Sequence, residues 1–292
     1  GVRPGWTGRP PVAARPSAAD AERLRGMITT AQRVTVLGGG FVGLEVAGTA
    51  AALGKSVTVL EAAPRLLGRS VSAELGAHVL SKHRAAGIDV RLGVAVDGFE
   101  FDDGQLRALK VDGVRETVDL LVLGIGALPD DRLARAAGLA CNNGVVVDAC
   151  LRSVDDPDIL AIGDCASFPR ADGAGRLRLE SVQNATDQAR AAAHTLQGHE
   201  RLYAALPWFW SEQGGLRLQM AGLLPAQART HRRPGANPDS FSLLHYVGER
   251  LACVESANAP LDHVMGRKIL EAGKHPPPDQ ACNPAVALKT LL

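Results

Sequence analysis

Three glycines of this sequence have the spacing with which a polypeptide holds the pyrophosphate of a dinucleotide. Gly38, Gly40 and Gly43 follow a β-branched run at residues 33–37 and open an Ala-rich stretch that predicts a helix over 41–54. The first glycine allows a tight turn, the second lets the backbone approach the pyrophosphate, and the third lets the helix pack against the strand. The N–H groups and the dipole at the helix N-terminus attract the phosphates. The pattern therefore predicts a dinucleotide-binding turn.

An acidic residue at the end of the next strand indicates which dinucleotide is bound. Glu61 follows the strand predicted at 56–60 and lies eighteen residues after Gly43. A carboxylate there accepts hydrogen bonds from the adenosine ribose and repels a 2′-phosphate, so we expect NAD(H) rather than NADP(H). Arg65 and Arg69 could weaken that preference, or bind the adenine side and the pyrophosphate. The alternative is a βαβ turn that binds nothing, and the combination of strand, glycines, helix and acid argues against it.

A second candidate site lies in the stretch DILAIGDCA at residues 158–166. We predict a short apolar strand at 159–162 that ends in Gly163 and Asp164. A carboxylate at the carboxyl end of a strand could bind a ribityl hydroxyl of a flavin. Taken alone, the motif is more often an aspartate that caps a helix.

The surrounding elements alternate between strand and helix, which is typical of an α/β protein, and change character near Pro207. After that residue, three strands and one helix indicate a separate α+β domain, whereas residues 1–16 read as an irregular linker rich in Pro, Gly and Arg. The further helices are predicted at 18–28, 72–86, 182–197 and 261–272, and the further strands at 88–94, 98–101, 106–111, 120–124, 145–148, 216–223, 240–247 and 251–256.

Bulk composition excludes several classes of protein. The 292 residues have 46% hydrophobic and 22% charged content and a net charge of +1, as in a globular protein of about two domains that does not bind nucleic acid. We see no run long enough to span a bilayer and no signal peptide. The five cysteines are widely spaced without a Cys-x-x-Cys, so we expect no disulfide framework, no metal site and a cytoplasmic location.

Eight stretches between residue 33 and the C-terminus carry a family resemblance: VTVLGGGFVGLEVA, VTVLEAAPRLLGR, LVLGIGALPD, ILAIGDCASF, LESVQNATDQARAAA, PWFWSEQ, MGRKIL and ALKTLL. Together they resemble the FAD-dependent ferredoxin, rubredoxin and putidaredoxin reductases. The resemblance implies a glutathione-reductase-like α/β fold. It divides the chain into a linker and flavin-domain exit (1–27), an NAD(H)-binding Rossmann domain (28–126), the remainder of the FAD domain (127–205) and a small α+β C-terminal domain (206–292).

The resemblance also implies roles for individual residues on the NADH side. Glu45 would lie near the nicotinamide and act in catalysis, Glu61 and Arg69 would lie on the adenosine side, and Ile125 with Gly126 would lie under the nicotinamide. The turn that holds NADH would consist of Gly38, Gly40, Phe41, Val42 and Gly43.

On the FAD side, the resemblance assigns Asp164 to the ribityl chain. Ser181, Val182 and Gln183 would begin a helix aimed at the flavin ring, where the helix dipole stabilises negative charge on the reduced ring. Trp210, with Trp208 as the second choice, would be the catalytic tryptophan beside the flavin. The alternative for both tryptophans is ordinary aromatic packing.

Three departures from the family pattern stand out. No second glycine fingerprint precedes residue 33, so the FAD site is expected to be half a site, and the chain, which begins with Gly1, is expected to be cut, processed or incomplete. Residues 3–16 are longer and richer in proline than the usual linker. After PWFWS, Glu212, Gln213 and a pair of glycines replace the usual Asp-Gln and bulky residue. That loop is expected to shape the flavin edge or the acceptor surface.

The resemblance implies hydride transfer from NADH to the flavin, followed by single-electron transfer to a ferredoxin- or rubredoxin-type partner that feeds an oxygenase. An acidic partner would dock on basic residues, for which the candidates are Arg229-His231-Arg232-Arg233 and Arg267-Lys268. A solvated charged surface is the alternative. Other interpretations are a truncated, non-catalytic NADH-binding module and a flavoprotein like NADH oxidase or apoptosis-inducing factor. A monomer and a homodimer both remain open.

Overall fold

A computed structural model describes residues 18–292 of the chain. They form two compact units: the first contains the residues up to Ala127 together with Ser211–Leu218, and the second contains Leu128–Trp210 and Gln219–Leu292. The division into four domains that the resemblance implies remains a prediction.

In the chain up to Ala127, the elements alternate between helix and strand from the first helix to the third strand, as the sequence predicts, and four more strands then follow one another. In chain order they are α1 (Ala18–Thr30), β1 (Arg33–Leu37), α2 (Phe41–Ala52), β2 (Ser56–Glu61), α3 (Ala73–Ala85), β3 (Asp89–Leu92), β4 (Val96–Asp102), β5 (Gln105–Val111), β6 (Val114–Thr117) and β7 (Leu120–Leu123).

A four-stranded parallel sheet in the order β3-β2-β1-β7 forms the centre of the first unit. Val36 of β1 is opposite Val59 of β2 on one side and Val122 of β7 on the other. The valines are buried, as are Leu44 and Ala47 of α2, the helix that packs against β1 and β2. The strand that precedes the glycine turn therefore has a neighbour on each side, and such a sheet binds its ligand at the carboxyl ends of the strands.

Strands β4, β5 and β6 form a separate antiparallel sheet. Asp103 and Gly104, between β4 and β5, have positive φ angles of 47° and 71°, as a tight hairpin turn between antiparallel strands requires. The apolar side chains of β5 pack with Leu60 and Leu121 of the parallel sheet. The meander thus covers the parallel sheet and completes its core.

The remaining elements are α4 (Arg132–Ala136), β8 (Val145–Val146), β9 (Ala166–Pro169), β10 (Arg176–Leu177), α5 (Val182–Leu196), β11 (Trp208–Gln213), β12 (Leu216–Gly222), β13 (Arg229–Pro234), β14 (Phe241–Val247), β15 (Arg250–Ala257), α6 (Pro260–Glu271) and α7 (Pro278–Ala281), followed by a 3-10 helix at Leu288–Leu291. The long helix predicted at 182–197 is confirmed as α5.

The strand predicted at residues 159–162 is wrong. Leu160 makes only an isolated bridge with Arg152, and the backbone then enters a 3-10 turn over Gly163–Cys165. The strand of this region is β9, whose Ala166 pairs with Val145. An apolar run does not reveal which of its residues will find a partner strand, and here the pairing begins after the acidic residue.

The C-terminal sheet has five strands in the order β11-β12-β15-β14-β13. Gly266 lets α6 approach β15 closely, since a Cβ there would lie 3.0 Å from Val254 Cγ1. The edge strand β13 was not predicted, because its sequence RTHRRP has the charges of a loop; charged side chains on an edge strand also prevent pairing with another chain. In residues 18–292, no helix has both the length and the apolar character that crossing a membrane would require.

Candidate functional site

Two glycines of the predicted turn are required by the fold itself. Gly38 has a φ angle of 107°, and a Cβ on it would lie 2.5 Å from the carbonyl oxygen of Gly124. A Cβ on Gly43 would lie 2.5 Å from the carbonyl oxygen of Gly38 and 3.2 Å from Val36 Cγ1. Both contacts are too short for any other residue, so these glycines let the turn, β1 and the β7 end pack together.

Gly40 differs from its two neighbours in the motif. It is the N-cap of α2 with φ −84° and ψ 174°, an extended conformation that any residue adopts. A Cβ there would approach Gly124 O at 3.6 Å, which is ordinary van der Waals contact. Within residues 18–292, no contact therefore explains a glycine at this position. A ligand that lies against the backbone here would explain it.

The N-terminus of α2 offers donors for such a ligand. The first N–H groups of a helix have no acceptor within the helix, so those of Phe41, Val42 and Gly43 face outward from the turn. Gly40 makes no side-chain cap bond to them, and the side chain of Val42 is 65% exposed. The dipole adds a partial positive charge at the same place. These features suit a phosphate.

Glu61 lies at the end of β2 and is held against the glycine turn. Its carboxylate oxygens accept hydrogen bonds from the Gly39 N–H at 2.6 Å and from the Ala63 N–H at 2.7 Å. Gly39 was not singled out from the sequence, although a Cβ on it would lie 2.4 Å from the buried side chain of Leu66. The carboxylate is thus fixed beside the glycine turn, at the position where it could accept a hydrogen bond from a ribose hydroxyl.

The two arginines after Glu61 have different surroundings. The guanidinium of Arg65 donates to the carbonyl oxygens of Gly68 at 2.6 Å and Val71 at 2.9 Å, so it closes its own loop and is not directed at a nucleotide. Arg69 is exposed, and its Nη2 would lie 3.8 Å from a Cβ on Gly126. The structure thus brings Arg69 to the residues after β7, although the resemblance implies the adenosine side.

Glu45 lies on the second turn of α2 and contacts the hairpin between β11 and β12. Its Oε1 accepts a hydrogen bond from Ser211 Oγ at 2.5 Å. Ser211 and the Ser211–Leu218 segment belong to the same compact unit as α2. Ser211 was not identified from the sequence, because no local pattern links it to Glu45, which lies far away in the chain.

In the second unit, Asp164 lies within the 3-10 turn Gly163–Cys165 and is exposed. Partial desolvation raises the pKa of its carboxyl group, and the nearby carboxylate of Glu180 raises it further. Gly163 has a φ angle of 71°, and its N–H donates to Gln188 Oε1 at 2.7 Å. The turn is therefore held by α5, and Gln188 is a second residue that sequence reasoning did not find.

The first turn of α5 is open to a ligand. The N-cap Ser181 accepts a hydrogen bond from the Asn184 N–H at 3.1 Å, and Val182 is 68% exposed. The N–H groups of Val182 and Gln183 have no acceptor within the helix, whereas the side chain of Gln183 is bound to Asp187 at 2.8 Å. Backbone donors next to an exposed apolar side chain fit a flat, partly polar ring.

The two tryptophans of PWFWS have unequal environments. The indole of Trp208 lies 5.7 Å from the ring of Trp210 and 5.7 Å from that of His263, and the guanidinium of Arg267 stands over it at 4.6 Å. Trp208 is thus packed inside a cluster. Trp210 is 41% exposed and is the member of the pair that can meet a partner.

One of the proposed docking residues is structural. Arg233 is 6% exposed, and its guanidinium binds Asp262 at 3.1 Å and three backbone carbonyl oxygens near the C-terminus. It cannot contact a partner protein, so the prediction that Arg233 contributes to a basic docking cluster is wrong. Arg232 is exposed and stacks over Phe241 at 3.8 Å, and Arg229 is also exposed.

Comparison with known proteins identifies both parts of the chain. Residues 4–189 match the pyridine nucleotide-disulphide oxidoreductase family, and residues 208–292 match the reductase C-terminal family. Rhodocoxin reductase of Rhodococcus erythropolis is 41% identical over 278 residues, which are 94% of this chain and 65% of that protein. Terpredoxin reductase of a Pseudomonas species is 41% identical over 86% of this chain and 62% of that protein.

Two solved structures have the same fold. A ferredoxin reductase from Rhodopseudomonas palustris has a TM-score of 0.89 at 39% identity and covers 94% of this chain, which spans 68% of that one. The covalent complex of putidaredoxin reductase with putidaredoxin gives a TM-score of 0.89 at 35% identity over 94% of this chain and 67% of that one. The chain therefore spans about two thirds of the length of these relatives. It belongs to the pyridine nucleotide-disulphide oxidoreductase family, and its C-terminal part belongs to the reductase C-terminal family.

Proposed function

We propose that this chain binds NADH and FAD and passes electrons from NADH through the flavin to a ferredoxin-type protein, in the cytoplasm. The single observation that carries the NADH part is Gly40, whose backbone angles and surroundings within residues 18–292 would also accept a side chain. Relatives named as rhodocoxin and terpredoxin reductases support the acceptor class. Reductases that serve dioxygenase systems are also among the relatives, which supports an oxygenase as the final recipient.

NADH would lie across the carboxyl ends of β2, β1 and β7. Its pyrophosphate would face the N–H groups that begin α2, and Glu61 would accept hydrogen bonds from the adenosine ribose. Because β7 is on the opposite side of β1 from β2, the nicotinamide would lie toward Gly126. Glu45 would accept a hydrogen bond from the carboxamide, and Arg69 would neutralise phosphate charge.

The residues of the second unit fit FAD. Asp164 would accept a hydrogen bond from a ribityl hydroxyl, and Ser181 and Val182 would present the α5 N-terminus to the ring, whose negative charge the dipole stabilises. Trp210 would cover the ring, with Trp208 holding Trp210 in place. When bound, FAD supplies a hydride acceptor that can release electrons one at a time.

The acceptor would dock by charge complementarity. Small iron–sulfur proteins that are acidic would be attracted by the exposed Arg229 and Arg232, and such attraction mainly raises the association rate. A solved complex of putidaredoxin reductase with putidaredoxin supports docking as a property of this class of reductase. Arg232→Glu is the appropriate charge reversal, since Arg233 is needed by the fold.

The test of the proposed function is an absorption spectrum of the purified chain with and without added FAD, alongside titration with NADH. A flavin band that stays with the protein and bleaches on addition of NADH is expected. NADH binding without retained flavin would favour the second candidate, a non-catalytic NADH-binding module. Failure to bind NADH would contradict the proposal itself.

Replacement of Glu61 by Ser should change the choice of coenzyme. Without the carboxylate, a 2′-phosphate no longer meets a like charge, so the ratio of NADPH affinity to NADH affinity should rise by about tenfold or more. The ratio is the proper measure, because Glu61 also accepts hydrogen bonds from Gly39 and Ala63, and its loss loosens the turn for both coenzymes. Titration of both coenzymes measures it.

Glu100→Ser is the control for the coenzyme experiment. Glu100 is an exposed acid on β4, paired with Arg115 at 2.6 Å, outside the glycine turn. Its removal changes the net charge by the same amount and should leave the ratio unaltered. An equal ratio in the Glu61 variant and in this control would show that Glu61 does not read the ribose.

Gln188 should hold the Asp164 turn in place. In Gln188→Met the Gly163 N–H loses its buried acceptor, so we expect hydrogen exchange at the Gly163 amide to quicken by about tenfold, equivalent to one net hydrogen bond. Arg190→Met is the matched control, since Arg190 is on the same helix and exposed. Exchange at Gly163 that is equally slow in both variants would remove Gln188 from this role.

A further inference from the structure

The hairpin between β11 and β12 reaches α2 with its backbone. Its turn consists of Gly214 and Gly215, whose φ angles are 57° and 87°. A Cβ on Gly48 of α2 would lie 2.8 Å from the Gly214 nitrogen and 3.2 Å from the carbonyl carbon of Gln213. A helix glycine and a turn glycine thus meet without side chains between them. The Gly-Gly pair, by which this sequence departs from the family pattern, lies at that contact.

A chain of hydrogen bonds runs beside this contact. Gln213 Nε2 donates to Ser211 Oγ at 3.1 Å, and Ser211 Oγ donates to Glu45 Oε1 at 2.5 Å. The direction is fixed, because the amide nitrogen can only donate and the serine has a single proton to pass on. Ser211 and Gln213 are each 2% exposed. The carboxylate of Glu45, which is partly exposed, is therefore oriented by two buried side chains.

Stability alone does not account for Gln213. Within residues 18–292, its Oε1 is buried and has no hydrogen-bond partner, and an unsatisfied buried amide oxygen is unfavourable. A Met of similar shape would avoid that cost. The amide nitrogen donates to Ser211, the serine that holds Glu45. Its use is therefore in the orientation of that carboxylate.

We propose that Ser211 and Gln213 are positioning residues for Glu45, and that through them the hairpin sets the affinity for the nicotinamide end of NADH. The inference rests on the proposed function, in which Glu45 accepts a hydrogen bond from the carboxamide. A carboxylate already held in the bound geometry loses little freedom when the ligand arrives. Binding of the adenosine end, which would be held by Glu61 at the end of β2, does not depend on the hairpin.

The experiment compares NADH with ADP-ribose, which has the adenosine and pyrophosphate but no nicotinamide. Calorimetric titration of the full chain is expected to show that Ser211→Ala binds NADH about tenfold more weakly, the effect of freeing one ordered side chain. Its affinity for ADP-ribose should stay within about twofold of the unmodified chain. A general loss of packing would instead weaken both ligands.

Further variants grade the effect. Gln213→Met keeps the hydrogen bond from Ser211 to Glu45 but removes the hydrogen bond by which the Gln213 amide holds the serine hydroxyl. This variant should therefore lose less NADH affinity than Ser211→Ala. Glu212→Gln is the matched control, because Glu212 is exposed between the two buried residues on the same strand and should bind both ligands normally. Gly48→Ala should push the hairpin away and reproduce the selective loss without altering any polar group.

The outcomes separate the inference from the function on which it rests. Unchanged NADH affinity in both Ser211→Ala and Gly48→Ala, or an equal loss of NADH and ADP-ribose affinity, would overturn the positioning role while the nucleotide site stands. An unmodified chain that binds neither ligand would overturn the nucleotide site and the positioning role with it.

Discussion

Gly40→Ala is expected to lose NADH affinity by about 100-fold while the chain stays folded. A methyl group at this position fits the ligand-free protein, since its nearest neighbour is Gly124 O at 3.6 Å, and the backbone angles suit alanine. The same methyl group occupies the space through which the pyrophosphate reaches the α2 N-terminus. Each hydrogen bond to a charged group that the methyl group prevents is worth about 1.5–3 kcal/mol, so one such loss accounts for about this change in affinity. NADH titration and a thermal unfolding curve, measured on the same sample, check the loss of affinity and the unchanged stability.

The other glycines of the motif provide the contrast. Gly38→Ala and Gly43→Ala each place a methyl group 2.5 Å from a carbonyl oxygen, so both should lower the unfolding temperature as well as the NADH affinity. Gly40→Ala should lower the affinity alone. If its unfolding temperature falls as far as those two, the glycine serves packing and the main support for the nucleotide site is lost. If its NADH affinity stays normal, the pyrophosphate does not bind there.

The geometry of the glycine turn was predictable because its constraints are local. The clash of Gly43 is with Gly38 and Val36, all within one βαβ unit, and Glu61 ends the next strand of that unit. The glycine spacing and the position of the acid therefore carry most of the geometry. The roles of the arginines in the loop after β2 could not be predicted. Arg65 binds two carbonyl oxygens of its own loop and Arg69 is exposed, but nothing in the sequence distinguishes them.

On the candidate flavin side, the helix predicted from residue 182 is confirmed, whereas the strand predicted before Asp164 is wrong. Ser181 caps α5, but Ala166 and not Leu160 continues the pairing with β8. Local hydrophobicity cannot decide which of two neighbouring runs enters a sheet. The bond between Ser211 and Glu45 lies beyond any sequence pattern, since 166 positions separate the two residues and only tertiary packing brings them together.

The C-terminal strands show the same limit in a charged segment. A basic run in β13 has a docking interpretation and a structural one, and its sequence does not separate them. Alternation along the strand decides the matter: Arg232 is exposed and Arg233 is buried. Two neighbouring arginines of equal charge therefore differ in burial, so substitutions at the two positions form a matched pair of variants.

Arg233→Met is expected to destabilise the protein by about 3–5 kcal/mol, the usual cost of removing one partner of a buried ion pair. The change leaves Asp262 without its guanidinium and removes hydrogen bonds to the carbonyl oxygens of Ala281, Asn283 and Val286. These bonds tie β13 to α6 and to the segment that follows α7. Urea unfolding followed by tryptophan fluorescence measures the loss, because Trp208 packs against α6 through Arg267.

Arg232→Met is the control for this prediction, with the same change of charge and volume at the adjacent position. Arg232 is exposed and stacks over Phe241, a contact worth about 0.5–1 kcal/mol at an exposed site. Arg233→Lys should recover little of the loss, since an ammonium group cannot reach a carboxylate and three carbonyl oxygens from a single point. If Arg233→Met were no less stable than Arg232→Met, the buried bonds would contribute nothing net.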